Sequence, residues 1–108
     1  MRRLMTLLLL IAGGGAGLAD VANAQTLTVA QGTIVNFFAD PSDVVVEMNS
    51  PGSCGSNYFH IQRVATNFHE MTAVALTAFS GAKIMTFYVQ SCVGNRNIVS
   101  HGFAGNPP

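Results

Sequence analysis

Residues 67–90 organise the chain: apolar residues recur there at helical spacing up to a glycine turn and then at alternate positions, as in a strand. Phe68, Met71, Ala75, Ala78 and Phe79 line one side of a helix that opens behind Asn67. The Asn67 side chain is placed to cap the first turn, with Glu70 reaching back to its amide. Gly81 stands where a left-handed residue ends such a helix. Beyond it, residues 83–91 alternate, with Met85, Phe87 and Val89 on one face and Ile84, Thr86, Tyr88 and Gln90 on the other. Residues 58–63 alternate as well, Phe59 and Ile61 opposing Tyr58, His60 and Gln62. Residues 25–40 read as one long strand interrupted at Gly32, where glycine suits a bend or bulge. Residues 40–43, Asp-Pro-Ser-Asp, form a turn whose side chains reach nearby amides. Residues 44–48 are a short β-branched strand, residues 49–57 a loop, residues 92–97 a polar turn and residues 98–105 a final strand.

The order is strand, strand, strand, helix, strand, strand. This mostly β pattern, β-β-β-α-β-β with a bent first strand, is that of the OB-fold, a small Greek-key barrel. An open sheet covered by one helix is the competing architecture. No repeat or low-complexity segment divides residues 25–108, which form a single domain. Residues 1–24 read as a secretory signal peptide: Arg2 and Arg3, the apolar run 7–12, then Ala22-Asn23-Ala24. The apolar run is too short to span a membrane, and its glycine-rich continuation opposes a helix. Cleavage after Ala24 leaves 84 of the 108 residues, a core small enough to call for a disulfide or a partner subunit. Cys54 and Cys92, the two cysteines, are expected to pair in an oxidising compartment, secreted or periplasmic. They lack the close spacing of redox or zinc motifs.

Charge is scarce. After residue 24 three basic residues, Arg63, Lys83 and Arg96, face four acidic ones, Asp40, Asp43, Glu47 and Glu70. No basic stripe exists to neutralise phosphates, which argues against nucleic acid as a partner. His60, His69 and His101 lack metal-ligand spacing, so no metal or cofactor is expected. His60 and His101, each on an alternating strand, leave a shared site conceivable. Asp40 and Asp43 suit turn-capping better than acid–base chemistry. No nucleophile elbow and no phosphate loop occurs, and the expectation is a non-enzyme. For ligand binding the candidates are Asn95, Arg96 and Asn97, with donors for hydroxyls or a carboxylate, and Tyr58, His60 and Gln62 on one strand face. Tyr58 can stack on a sugar ring. The competing reading makes residues 95–97 a tight turn beside the disulfide and packs Tyr58 under a loop.

The run CGSNYFHIQR, the segment NFHEMTAVALTAFSGAKIMTFYVQSC and the following GNRN resemble the binding subunit of subtilase cytotoxin and small secreted bacterial proteins like it. The resemblance covers residues 53–102. It implies an OB-fold toxin B subunit that assembles as a ring of five, its helices facing a central pore, and that recognises glycans. The family's sugar-contacting residues have no matched positions here. The sequence supports assembly on a separate ground, because the outer side of the helix carries Ala73, Val74, Leu76 and Thr77 with almost no charge. Those residues suit contact with a neighbouring helix, hence a homo-oligomer; a well-covered helix in a monomer is the simpler alternative. Two functions follow from these readings. One is a secreted carbohydrate-binding subunit, with or without a catalytic A-type partner. The other is a periplasmic OB-fold protein with a structural or interaction role and no sugar.

Overall fold

The computed structural model describes residues 26–107, so the expected signal peptide lies outside the described residues. Six strands and one helix follow in order: β1 (Thr28–Gly32), β2 (Ile34–Ala39), β3 (Asp43–Met48), β4 (Tyr58–Gln62), α1 (Phe68–Ser80), β5 (Ile84–Val93) and β6 (Arg96–Gly105). They form one mostly β sheet in the order β1-β5-β6-β4-β3-β2. All pairs are antiparallel except β4 with β6. The long first strand expected over residues 25–40 is therefore two strands. Thr33 alone separates them, and they occupy opposite ends of the order. No hydrogen-bonded pair joins β1 to β2, so the sheet is open in its hydrogen bonding.

Asn49 makes the corner at Thr33. Its Oδ1 accepts from the Thr33 amide at 3.0 Å, and its own amide donates to the Thr33 carbonyl at 3.0 Å. Gly32 is glycine for want of space, since a Cβ there would collide with the Asn49 side-chain oxygen.

One face of the sheet and one side of the helix enclose the core. Phe59 and Phe87 stack at 5.2 Å, among Met48, Ile61, Met85 and Val46, all fully buried. Met71, Ala75 and Ala78 of α1 close over them. The alternation in β4 and β5 thus assigns its faces correctly. Phe79 is 41% exposed and stacks on Phe37 at 6.0 Å, pinning the helix to β2 rather than entering the core. Truncating a buried phenylalanine at such a centre costs about 3–5 kcal/mol. Among the described residues no helix is long and apolar enough to cross a membrane.

Both helix ends differ from expectation in the same manner: the boundary holds and the mechanism changes. Asn67 precedes the first helical residue, yet makes no side-chain cap. Its side-chain Nδ2 instead donates to the Ser100 carbonyl at 3.0 Å, tying the helix start to β6. Gly81 has φ −98° and is not left-handed; Ala82 takes that conformation, with φ +53°. The Lys83 amide donates to the Ala78 carbonyl at 2.9 Å, the six-residue closure of a Schellman end, in which the left-handed residue falls one position past Gly81. The turn after β5 is also shorter than residues 92–97. β5 runs to Val93 and β6 begins at Arg96, leaving Gly94-Asn95 as a two-residue hairpin with Gly94 at φ +61°.

Cys54 and Cys92 are bonded, with Cα atoms 5.5 Å apart. The bridge fastens the 49–57 loop to the end of β5. Replacing both cysteines by serine is expected to lower stability by about 3–4 kcal/mol through loop entropy, read by denaturant unfolding of oxidised protein and variant. Ala82→Gly should raise it by about 0.5–1 kcal/mol, because glycine relieves the left-handed backbone, and thermal unfolding reads the change.

Candidate functional site

Register brings the outer residues of three strands together. Phe38, Val45 and His60 lie side by side across β2, β3 and β4, and Asn36, Glu47 and Tyr58 form the next row. Val44, Val46 and Met48 turn inward to the core, so Val45 turns outward. It is nonetheless 2% exposed, covered by its neighbours. Above it lies a cleft of about 260 Å³. Val45 and His60 form the floor. Phe38 and Tyr58, half-exposed and edge-to-face at 6.3 Å, form an aromatic wall. Asp40 and the pair Asn95-Arg96 stand at the rim, from the two turns at the strand ends, with Ser56 completing the lining.

Asp43 organises the floor. Its carboxylate is buried, and Oδ2 accepts from Arg96 Nη2 at 2.9 Å and from His60 Nδ1 at 3.0 Å. A carboxylate only accepts, which places the His60 proton on Nδ1. Arg96 runs alongside the ring, with Nε 3.5 Å from His60 Nε2 and Nη2 3.2 Å from Nδ1. A buried carboxylate without such partners is strongly disfavoured, so the three side chains hold one another in place. Arg96 remains 44% exposed and keeps part of its guanidinium free to face the cleft.

Asp40 does what the turn reading requires of it. Its Oδ1 accepts from the amides of Asp43 (2.8 Å) and Ser42 (3.0 Å) and from the Ser42 hydroxyl (3.2 Å). These bonds, the Asp43 amide first, hold its carboxyl below the usual carboxylate range. Asp43 departs from the turn reading: it is an ion-pair centre rather than a cap.

Of the six sequence candidates, Tyr58, His60, Asn95 and Arg96 meet in this cleft. Gln62 lies instead in a second, polar cleft with Gln90, Ser100 and His101. His101 stacks on Tyr88 at 4.4 Å, apart from His60. Asn97 is fully buried. It accepts from the Cys54 amide at 3.0 Å and donates to the carbonyls of Ser56 (2.9 Å) and Tyr58 (2.8 Å), fixing the loop beneath the cleft. It is the second residue of β6 rather than part of a turn, and it holds the loop that carries Ser56 and Tyr58 instead of lining the cleft.

Phe38, Asp43, Val45 and Ser56 escaped sequence reading. The alternation of residues 43–48 would have placed Asp43 beside Val45, but a run of β-branched residues hides its own phase. On the far side of α1, Ala73, Val74 and Thr77 border a mostly apolar groove of about 390 Å³ against Gly102, Phe103 and Ala104. Leu76 stands beside it, 48% exposed. Among the described residues no group of three His, Cys, Asp or Glu is placed to hold a metal. No protein-family profile, no curated protein and no solved structure matches this chain.

Removing one partner of Asp43 leaves the carboxylate under-compensated. Arg96→Ala is expected to cost about 1–2 kcal/mol, less than a fully buried pair because the guanidinium is half in water. Asp43→Ala combined with Arg96→Ala should cost less than the sum of the two single changes, as a double-mutant cycle in urea would read. Because the Asp40 carboxyl titrates lower when folded, it contributes stability above the ordinary carboxylate pKa. That contribution is lost as pH falls through the lower folded value. Asp40→Asn, which keeps the accepting oxygen, should flatten the loss of stability below about pH 4, followed by acid titration of the unfolding midpoint.

Proposed function

We propose that the chain is an exported, non-catalytic carbohydrate-binding subunit of the OB-fold type, akin to toxin B subunits, and that the cleft over Val45 is its ligand site. Counting β1 and β2 as one bent strand, the succession of pairings and the helix before β5 are consistent with that fold. OB-folds bind along the face of their second and third strands, between the loops at the strand ends. In this chain those strands are β3 and β4, and the loops are residues 40–42 and 94–95. The observation that carries the reading is the convergence there of an aromatic wall with Arg96, Asn95 and Asp40. Sugars are bound by an apolar ring face together with hydrogen bonds to hydroxyls. A non-catalytic role is favoured by His60, whose ring nitrogens face Asp43 and Arg96, with no hydroxyl bonded to either among the described residues.

Assembly into a homo-oligomer, with a ring of five as the form the resemblance implies, is part of the same proposal. Its support is the uncharged outer side of α1 and the apolar groove beside it. A catalytic A-type partner is left to gene neighbourhood, where an adjacent secreted protease or transferase gene would favour one.

A glycan array probed with the oxidised protein tests the reading. Selective binding is expected, weakened about tenfold or more by Tyr58→Ala and by Arg96→Ala and unchanged by Gln62→Ala. Absence of binding to any glycan overturns it. Light scattering on the same sample is expected to give a multiple of the chain mass, and Leu76→Glu should reduce that mass; a monomer at micromolar concentration overturns the assembly.

A further inference from the structure

We propose that the ligand of this cleft is an uncharged pyranose, its hydroxyls held between Asp40 and Arg96 and its apolar face on Phe38 and Tyr58, and that acidic sugars are excluded. The inference rests on the carbohydrate reading above and adds the ligand class.

The charge inventory of the face decides it. Asp40, Asp43 and Glu47 all lie on or beside the outer surface of β2, β3 and β4, against one guanidinium in the cleft, that of Arg96. The positive charge of Arg96 is already matched by Asp43, and its Nη2 and Nε face Asp43 and His60. Its side-on edge, with which arginine grips a carboxylate or sulfate in two-pronged fashion, is therefore already occupied, and Nη1 is the donor without a partner among the described residues. Glu47 accepts from the Asn36 side-chain amide at 2.6 Å and has no basic partner among the described residues. Arg63 stands beside Asp40 and brings a second positive charge, leaving three carboxylates against two guanidiniums, but it does not line the cleft. Its guanidinium donates twice to the Asp40 carbonyl, at 2.9 and 3.2 Å, and lies over the Phe68 ring at 5.3 Å. Lys83 is bonded to Asn106, away from the cleft. An anionic sugar entering here would meet uncompensated carboxylate charge across a partly desolvated surface.

What the cleft does offer matches neutral hydroxyls, each of which both donates and accepts. The three hydrogen bonds of Asp40 all end on Oδ1, and among the described residues none reaches Oδ2. The turn amides keep that carboxylate ionised and fixed, so Oδ2 is an oriented acceptor for a hydroxyl. Across from it, Arg96 and the exposed Asn95 amide supply donors. One pyranose edge can bridge them while its carbon face covers the aromatic wall.

The test is calorimetric titration of the full chain, oxidised, with methyl glycosides of glucose, galactose and mannose, with the matching glucuronide and galacturonide, and with a sialoside. At least one neutral glycoside is expected to bind about tenfold or more tightly than its uronic counterpart. Asp40→Asn keeps the turn's acceptor but removes the charge. It is expected to weaken the neutral ligand about tenfold and to narrow the gap between neutral and acidic sugars, with a single cooperative unfolding transition at neutral pH, its midpoint lower only by the lost charge contribution, as the control for folding. An acidic sugar that binds as tightly as its neutral partner, or more so, overturns this inference and leaves the carbohydrate reading standing. Binding of no glycoside from either class overturns both.

Discussion

A single residue, Thr33, joins the two outermost strands of the sheet, and that constraint shapes the rest of the molecule. Gly32 and Ile34 can lie no more than about 7 Å apart. The two ends of a six-strand order must therefore approach each other at that corner, although no strand pair joins them. A flat sheet cannot satisfy this, so the sheet curls around its apolar face. The curl gathers Phe59, Phe87, Met48 and Met85 into one small core and leaves an opening that α1 covers with Met71, Ala75 and Ala78. The close approach of Asn49 to Gly32 is the local device that holds the corner.

On the outer surface of β2, β3 and β4 the cleft is made by side chains and by the turns at the strand ends, and two further fastenings hold its lining in place. Asn97 and the Cys54–Cys92 bridge secure the loop that carries Ser56 into Tyr58. Asp43 secures the other side by holding Arg96 and His60. Groups that line the cleft are thus held by buried groups that do not, which would lower the ordering cost of a ligand binding there. The arrangement also accounts for a chain with few charges placing Asp40 and Arg96 in one cleft, with Asp43 buried beside them.

Much of the fold was legible because it rests on local periodicity. The alternation of Phe59 with Ile61 and of Met85, Phe87 and Val89 identifies their buried face, and the spacing of Met71, Ala75 and Ala78 identifies the helix. What was hidden depends on partners distant in sequence. Nothing near Asn67 announces that its side-chain amide bonds Ser100, and nothing near Gly81 shows that the left-handed residue is Ala82. Asn97 looks like a turn donor until its 41-residue reach to Ser56 is seen. Asp43 looks like a turn residue until Arg96, 53 positions away, is placed against it. Composition marked Tyr58, His60, Asn95 and Arg96, while the pairing of β2 with β3 supplied Phe38 and Val45, which no local pattern connects to them.

The central claim is that the cleft over Val45 is where this protein meets its ligand. Its most direct test is a map of backbone amide shifts by NMR during titration with a bound sugar. Changes confined to residues 38–45, 56–60 and 94–97 are the predicted result. Changes centred on Gln62, Gln90 and His101, or on the groove between α1 and β6, would contradict it.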